Sequence, residues 1–270
     1  MIDTHCHLTF SQLLTRVVQV LDDARSAGVA GAITVSTTSQ DVLEAAGLAR
    51  RFANVWFTSG VHPLNCDEPI DWPTVVAAAA DPKCVAWGEL GLDRHYDRPP
   101  FHLQQQVLHD QLAVISDSRI ALPIVVHCRK AFDDLLPILR QSGLPADRFV
   151  FHCFTGNPDE ARQVLDFGAW ISFTGIVTFT NASAKPIREA ARMVPGDRIM
   201  IETDAPFLTP EPHRKIRTNE PQYSIATARN VAALRSEPWD EFHARINANT
   251  SRFFGIDPAD CVTSDQPKNV

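Results

Sequence analysis

The sequence predicts an α/β fold of the (β/α)8 TIM-barrel type, and three observations carry that expectation. Eight short apolar runs alternate with longer amphipathic stretches from one end of the chain to the other. Such alternation implies right-handed βαβ crossovers and a parallel sheet. No linker rich in Gly, Ser or Pro separates the units, so eight of them suit one closed barrel. A doubly wound open sheet is the competing architecture, but its G-x-G-x-x-G turn after the first strand is missing.

Taken in order, the expected strands are residues 1–4, 31–36, 55–59, 84–88, 123–126, 148–151, 169–173 and 198–203. Segments 13–27, 40–52, 101–116, 132–141, 158–167 and 184–193 read as helices. Asn157-Pro158 reads as an N-cap followed by proline at the first helical position, where its missing N–H costs nothing. One barrel domain is expected over 1–255. Residues 256–270, IDPADCVTSDQPKNV, read as a loose polar tail.

Composition narrows the function classes. The 270 residues are 44% hydrophobic and 21% charged, ordinary for a globular protein. No run approaches the roughly 18 apolar residues of a membrane span, and no basic, then apolar, leader opens the chain. A cytoplasmic protein without membrane contact is expected. With no coiled-coil pattern or exposed apolar stripe, a monomer is expected too. The net charge of −7 offers no bulk attraction to nucleic acid, though a local basic patch remains compatible with it. Six cysteines form no CxxC pair, which argues against zinc ribbons and thioredoxin-like sites and suits small buried hydrophobes in a reducing compartment.

Barrel enzymes place chemistry at the C-terminal ends of the strands, and the letters there are specific. The first strand ends in His5-Cys6-His7, the third runs into His62, and the fourth into GELGLD with Glu89 and Asp93. The fifth ends in His127 and Arg129, the sixth in His152, and the eighth in Glu202 and Asp204. Period-two alternation puts His5 and His7 on one face with Asp3, and Glu202 with Asp204. By the same parity Cys6, Cys128 and Cys153, each beside a histidine, should turn away into the helix layer.

Neutral imidazoles with carboxylates suit zinc, manganese, cobalt or iron, whereas magnesium prefers oxygen ligands. His5, His7, Glu89, His127, His152 and Asp204 offer six ligands, too many for one tetrahedral ion with an open position. They suit two divalent ions (magnesium, manganese, zinc, cobalt or iron) with Glu89 as the bridge.

These motifs resemble the TatD family of metal-dependent hydrolases, relatives of the amidohydrolase-type barrels. The resemblance runs through DTHCHL, GVHP, GELGLD, PIVVHCR, FHCFTG, WISFTGIVTF, ETDAPFLTP, PHR and NEP, in order, to about residue 254. It implies a two-metal TIM barrel with phosphodiesterase activity, a deoxyribonuclease of 3′-to-5′ exonuclease type. On that resemblance His5 and His7 hold one ion with Asp204, His127 and His152 hold the other, and Glu89 bridges them. His62 and Arg129 match substrate-phosphate contacts. The PHRKIRTNEP loop departs from the family in carrying Lys215 where a glycine is usual.

The mechanism expected is metal-assisted hydrolysis, with Asp204 as general base and Arg129 forked onto phosphate oxygens. Asp3 and Glu202, one layer below the mouth, fit a role in orienting the ligands. Basic residues of two loops (Arg94, His95 and Arg98, then His213, Arg214, Lys215 and Arg217) read as a patch that tracks a nucleic-acid backbone. Asn219 and Glu220 read as a cap for the next helix, and Phe154 and Phe179 as packing rather than base platforms. The alternatives are amidohydrolase-type or aminoacyl-tRNA deacylase chemistry at the same site and, more remotely, a metal-binding protein without catalysis. Glu89, standing where many amidohydrolases bridge their metals with a modified lysine, favours the TatD-type arrangement. HCRK lacks the glutamate that a purine deaminase needs three residues after its histidine.

Overall fold

Nearly every strand residue is buried on both faces, as a parallel sheet wrapped by helices requires. In the computed structural model, which describes residues 1–261, eight strands follow one another in chain order around one sheet. They are β1 (Ile2–Cys6), β2 (Gly31–Thr34), β3 (Val55–Ser59), β4 (Cys84–Asp93), β5 (Ile124–Arg129), β6 (Phe149–Phe151), β7 (Trp170–Phe173) and β8 (Ile199–Ile201). All neighbouring pairs are parallel. The barrel nearly closes where the Asp204 N–H donates to His5 O at 2.9 Å and the His7 N–H to Ala205 O at 2.7 Å.

Helices α1 (Ser11–Leu14), α2 (Val17–Ser26), α3 (Ser39–Arg51), α4 (Trp72–Ala79), α5 (Phe101–Ser118), α6 (Phe132–Gln141), α7 (Pro158–Phe167), α8 (Lys185–Met193), α9 (Ser224–Leu234) and α10 (Trp239–Phe254) supply the outer layer. None of the described helices is long and apolar enough to cross a membrane. At α7 the Asn157 side chain accepts from the Glu160 N–H while the Glu160 carboxylate accepts from the Asn157 N–H, satisfying donors the helix start leaves open. The larger apolar cluster joins strands to helices, Leu13, Phe57, Leu135 and Phe242 among its members. A smaller one unites Ile2, Ile33, Val125, Val150 and Met200 with Phe253 and Phe254 of α10.

Several expectations change. The single helix expected over 13–27 is broken between α1 and α2 at Thr15 and Arg16. The fourth strand does not stop at 88 but runs ten residues, to Asp93. Gly88 (φ 120°) and Gly91 (φ 148°) permit this, because the strand presses onto β5: a Cβ at Gly91 would lie 1.9 Å from His127 O. At the C-terminus Ile256 is buried, joining the α10 cluster, and a 3₁₀ turn follows at Pro258–Cys261. The loose segment thus does not begin at 256, and the rest of the expected tail, 262–270, lies outside the described residues.

Candidate metal centre

The barrel's C-terminal rim gathers the six expected ligands and His62 around the carboxylate of Glu89. His152 Nε2 lies 2.5 Å and His127 Nδ1 2.7 Å from Glu89 Oε1, with His62 Nε2 at 3.4 Å. His5 Nε2 approaches the other oxygen, Oε2, at 3.3 Å. Asp204 Oδ1 lies 3.4 Å from His7 Nε2 and 3.7 Å from His5 Nε2. Three sets with donor atoms close enough for one ion result: His5, His7 and Glu89; His5, His152 and Asp204; His62, Glu89 and His127. Glu89 belongs to two of them.

Several of the ligands are braced from behind. The His7 Nδ1–H faces Val35 O at 2.9 Å, which leaves Nε2 for the centre. Asp93 Oδ2 meets His127 Nε2 at 3.0 Å, which leaves Nδ1. Glu202 accepts from the Cys153 N–H at 2.6 Å and the Ser172 hydroxyl at 2.7 Å, and its Oε1 lies 3.4 Å from His152 Nδ1. Asp3 accepts from the Thr203 N–H, the Thr203 hydroxyl and the His5 N–H, tying β1 to the segment that carries Asp204. Asp204 itself sits at φ 57°, in the left-handed region that aspartate tolerates better than most side chains.

The electrostatics follow from burial and crowding. Burial alone would raise Glu89, but the charges of His152 and His62 and the bonds from His127 and His152 hold it well below the usual carboxylate range. Burial and the neighbouring His152 push His5 down. Burial also opposes charge on His152, yet Glu89 and Glu202 raise it well above an ordinary imidazole. Asp204 escapes the upward push of burial through His7 and His5 and stays low, whereas burial pushes Asp3 up to about 8.

These residues fit a divalent metal. Both ring nitrogens of His5 are buried without a hydrogen-bond partner among the described residues, an arrangement that costs free energy unless something accepts a lone pair there. Imidazole and carboxylate donors together suit zinc, manganese, cobalt or iron.

Over the cluster opens a cavity of about 360 Å³, lined by His7, His62, Glu89, His127, His152 and Asp204. Arg129 lines it too, its guanidinium 5.4 Å from the Tyr96 ring. Arg94 is turned elsewhere: it makes bonds of 2.6 and 2.7 Å to Asp134 and stacks on Phe101. His213 packs on Tyr223 beside a separate cavity, and Arg214 lies 3.4 Å over Phe179. His95, Arg98, Lys215 and Arg217 are not among the residues that line the central cavity. Asn219 caps nothing. It is buried and donates to Thr203 O and Phe207 O, while Glu220 pairs with Arg16.

Cys6 faces the strand–helix cluster as expected, and Cys128 belongs to that cluster while also lining the central cavity. Cys153 does not: β6 ends at Phe151, the alternation lapses, and a φ of 42° turns Cys153 to the cavity wall. Phe154 and Phe179 are buried as packing. Sequence reasoning gave no role to Asp93, although it stands in the same GELGLD stretch as Glu89. It also passed over Tyr96 and Phe207, which line the cavity with about half of each residue exposed (49% and 48%).

Comparison with known proteins agrees with this picture. Residues 2–255 match the family model of TatD-related DNases. The chain is 38% identical over 263 residues to the metal-dependent hydrolase YcfH of Escherichia coli, covering 95% of this chain and 96% of that protein. It is 34% identical over 264 residues to the 3′-5′ ssDNA/RNA exonuclease TatD of Klebsiella pneumoniae, covering 95% and 98%. Among solved structures, the TatD homologue YjjV of E. coli superposes with a TM-score of 0.88 at 29% identity, covering 95% and 98%. This chain, a nearly closed barrel with candidate metal ligands at its C-terminal rim, belongs to the TatD-related DNase family of metal-dependent hydrolases.

Proposed function

We propose that the chain hydrolyses phosphodiester bonds of nucleic acid, removing nucleotides in the 3′-to-5′ direction with two divalent ions at the rim cluster. The observation that carries this reading is Glu89, shared between ligand sets at the floor of a cavity that Arg129 also lines. The names of relatives such as the K. pneumoniae exonuclease support the substrate class. His5, His7 and Asp204 would hold one ion, and His127 with His152 the other. When bound, such ions supply Lewis acidity at the phosphate and acidify an attacking water.

The chain's own residues supply the rest. Asp204, held low in pKa, accepts the water's proton at its carboxylate and orients the attack. Arg129 forks onto phosphate oxygens and fixes the scissile group over the cluster. His62, 3.4 Å from Glu89, is as well placed to ligate as to touch phosphate. Tyr96 and Phe207 offer exposed ring faces to unpaired bases. The same reading takes the protein as a cytoplasmic monomer.

The test strips the protein with chelator and adds back magnesium, manganese, cobalt or zinc with single-stranded DNA, duplex DNA or RNA. Metal-dependent release of mononucleotides is expected. Ester or amide turnover without nucleic-acid cleavage under every ion would sink the nuclease reading. An Asp204→Asn variant with full activity would remove the general base.

A further inference from the structure

The opposite end of the barrel carries a second concentration of charge that the rim chemistry does not use. Arg148 immediately precedes β6, Trp170 opens β7, Arg198 immediately precedes β8, and Arg252 lies in the last turn of α10. They line a cavity of about 410 Å³ at the N-terminal ends of the strands. Arg198 and Arg252 place their guanidinium carbons 5.0 and 4.6 Å from the Trp170 ring. The indole is anchored by its N–H donating to Asp147 O at 3.1 Å.

None of the three arginines has a carboxylate within ion-pair distance among the described residues. Arg148 spends Nε and Nη2 on the carbonyls of Leu122 and Ile120. Arg252 uses Nη2 on Asp197 O and Asn249 Oδ1. Among the described residues the Arg198 guanidinium has no hydrogen-bond partner, so its five donors are open. Asp147 and Asp197 also line the cavity, but they contribute backbone oxygens rather than ion pairs. Burial lowers the pKa of Arg148, and the neighbouring Asp147 carboxylate offsets that only in part. In a chain of net charge −7, three guanidinium groups line one cavity with two carboxylates, Asp147 and Asp197, which leaves a local excess of positive charge there.

We propose that this cavity binds a phosphate-class oxyanion, free or carried by a nucleotide, between Arg198, Arg252 and the remaining donor edge of Arg148. Guanidinium forks match phosphate oxygens in pairs, and charge-assisted bonds of this kind are the strong ones. The cavity exceeds what a bare phosphate fills, which leaves room for a nucleoside attached to it. The proposal does not depend on the rim chemistry, since none of the candidate ligands lines this cavity.

The experiment titrates the full-length protein calorimetrically with inorganic phosphate, a nucleoside 5′-monophosphate and the unphosphorylated nucleoside, with and without chelator. A saturable phosphate site that survives chelator is expected. Its affinity should fall about tenfold or more in Arg198→Gln and in Arg252→Gln, and stay unchanged in Arg129→Gln. Tighter binding of the monophosphate than of inorganic phosphate would mark a nucleotide as the occupant, and equal binding a free phosphate. Arg198→Lys, which keeps the charge and loses the fork, should retain part of the affinity and decides the matter if the glutamine variant fails to fold. Binding that vanishes with chelator or in Arg129→Gln, that ignores Arg198 and Arg252, or that the nucleoside matches would overturn the proposal, as would the absence of saturable binding.

Discussion

Asp93 holds His127 from behind, its Oδ2 3.0 Å from Nε2 of the imidazole, while Nδ1 of the same ring meets Glu89 Oε1 at 2.7 Å. A carboxylate on one ring nitrogen fixes which nitrogen is free to ligate and raises its basicity. Asp93→Ala should therefore weaken metal binding roughly 10- to 100-fold with the fold intact. Competition against a chromophoric chelator measures this, and an unchanged affinity would show that Asp93 does not position the ligand.

Glu89 and Arg129 should fail in different ways. Glu89→Gln removes the carboxylate charge shared between ligand sets, so metal content measured by atomic emission should fall below that of the parent protein. Arg129→Gln leaves every candidate ligand in place. Its expected signature is a KM raised about tenfold or more on oligonucleotide substrates, with a smaller change in kcat. A variant of Arg129 that lost bound metal would contradict this division.

Two glycines predict opposite signs. At Gly91 the backbone is in the positive-φ region and a Cβ would collide with His127 O, so Gly91→Ala should destabilise the protein by about 3 kcal/mol or more. Gly47, exposed within α3, has open space around the place a methyl would take, and Gly47→Ala should stabilise by roughly 0.5–1 kcal/mol. Thermal denaturation of the pair checks both, and equal midpoints would refute the packing account of β4.

The buried thiols should be inert in the folded protein. Burial pushes Cys66 up to about 11 and Cys84 up to about 12. A raised thiol is fully protonated well below that value, so at pH 8 only about one Cys66 side chain in a thousand is the reactive thiolate. Labelling with a disulfide reagent at pH 8 should be slow for both and become fast on unfolding in guanidinium. Fast native labelling at either position would contradict its burial.

The residues that converge at the rim were legible because they obey local rules. His5, His7, Glu89, His127, His152 and Asp204 all stand where an apolar run ends, and barrels present such positions at one mouth. Strand periodicity needs no tertiary information. It failed where the chain leaves regular geometry: Cys153 turns to the cavity because its φ is positive, and Asp93 joins the site because β4 continues past Gly88 and Gly91 along β5.

Loop residues were the least legible. Arg94, His213 and Arg214 have the composition of a nucleic-acid patch, yet Asp134, Tyr223 and Phe179 take them up. Asn219 resembles a helix cap by its type and position, and instead bonds the carbonyls of Thr203 and Phe207, on either side of Asp204. In each case a partner distant in sequence sets the direction of the side chain.

By itself, the sequence determined the strand order, the barrel and the set of imidazoles and carboxylates at its rim. Those follow from the alternation of apolar and polar letters, a property of adjacent residues. Tertiary structure alone decided that Asp93 braces His127, and that three arginines line one cavity with Trp170 at the other end. Angstrom-scale distances between residues on different strands arise from packing, and no local pattern along the chain encodes them.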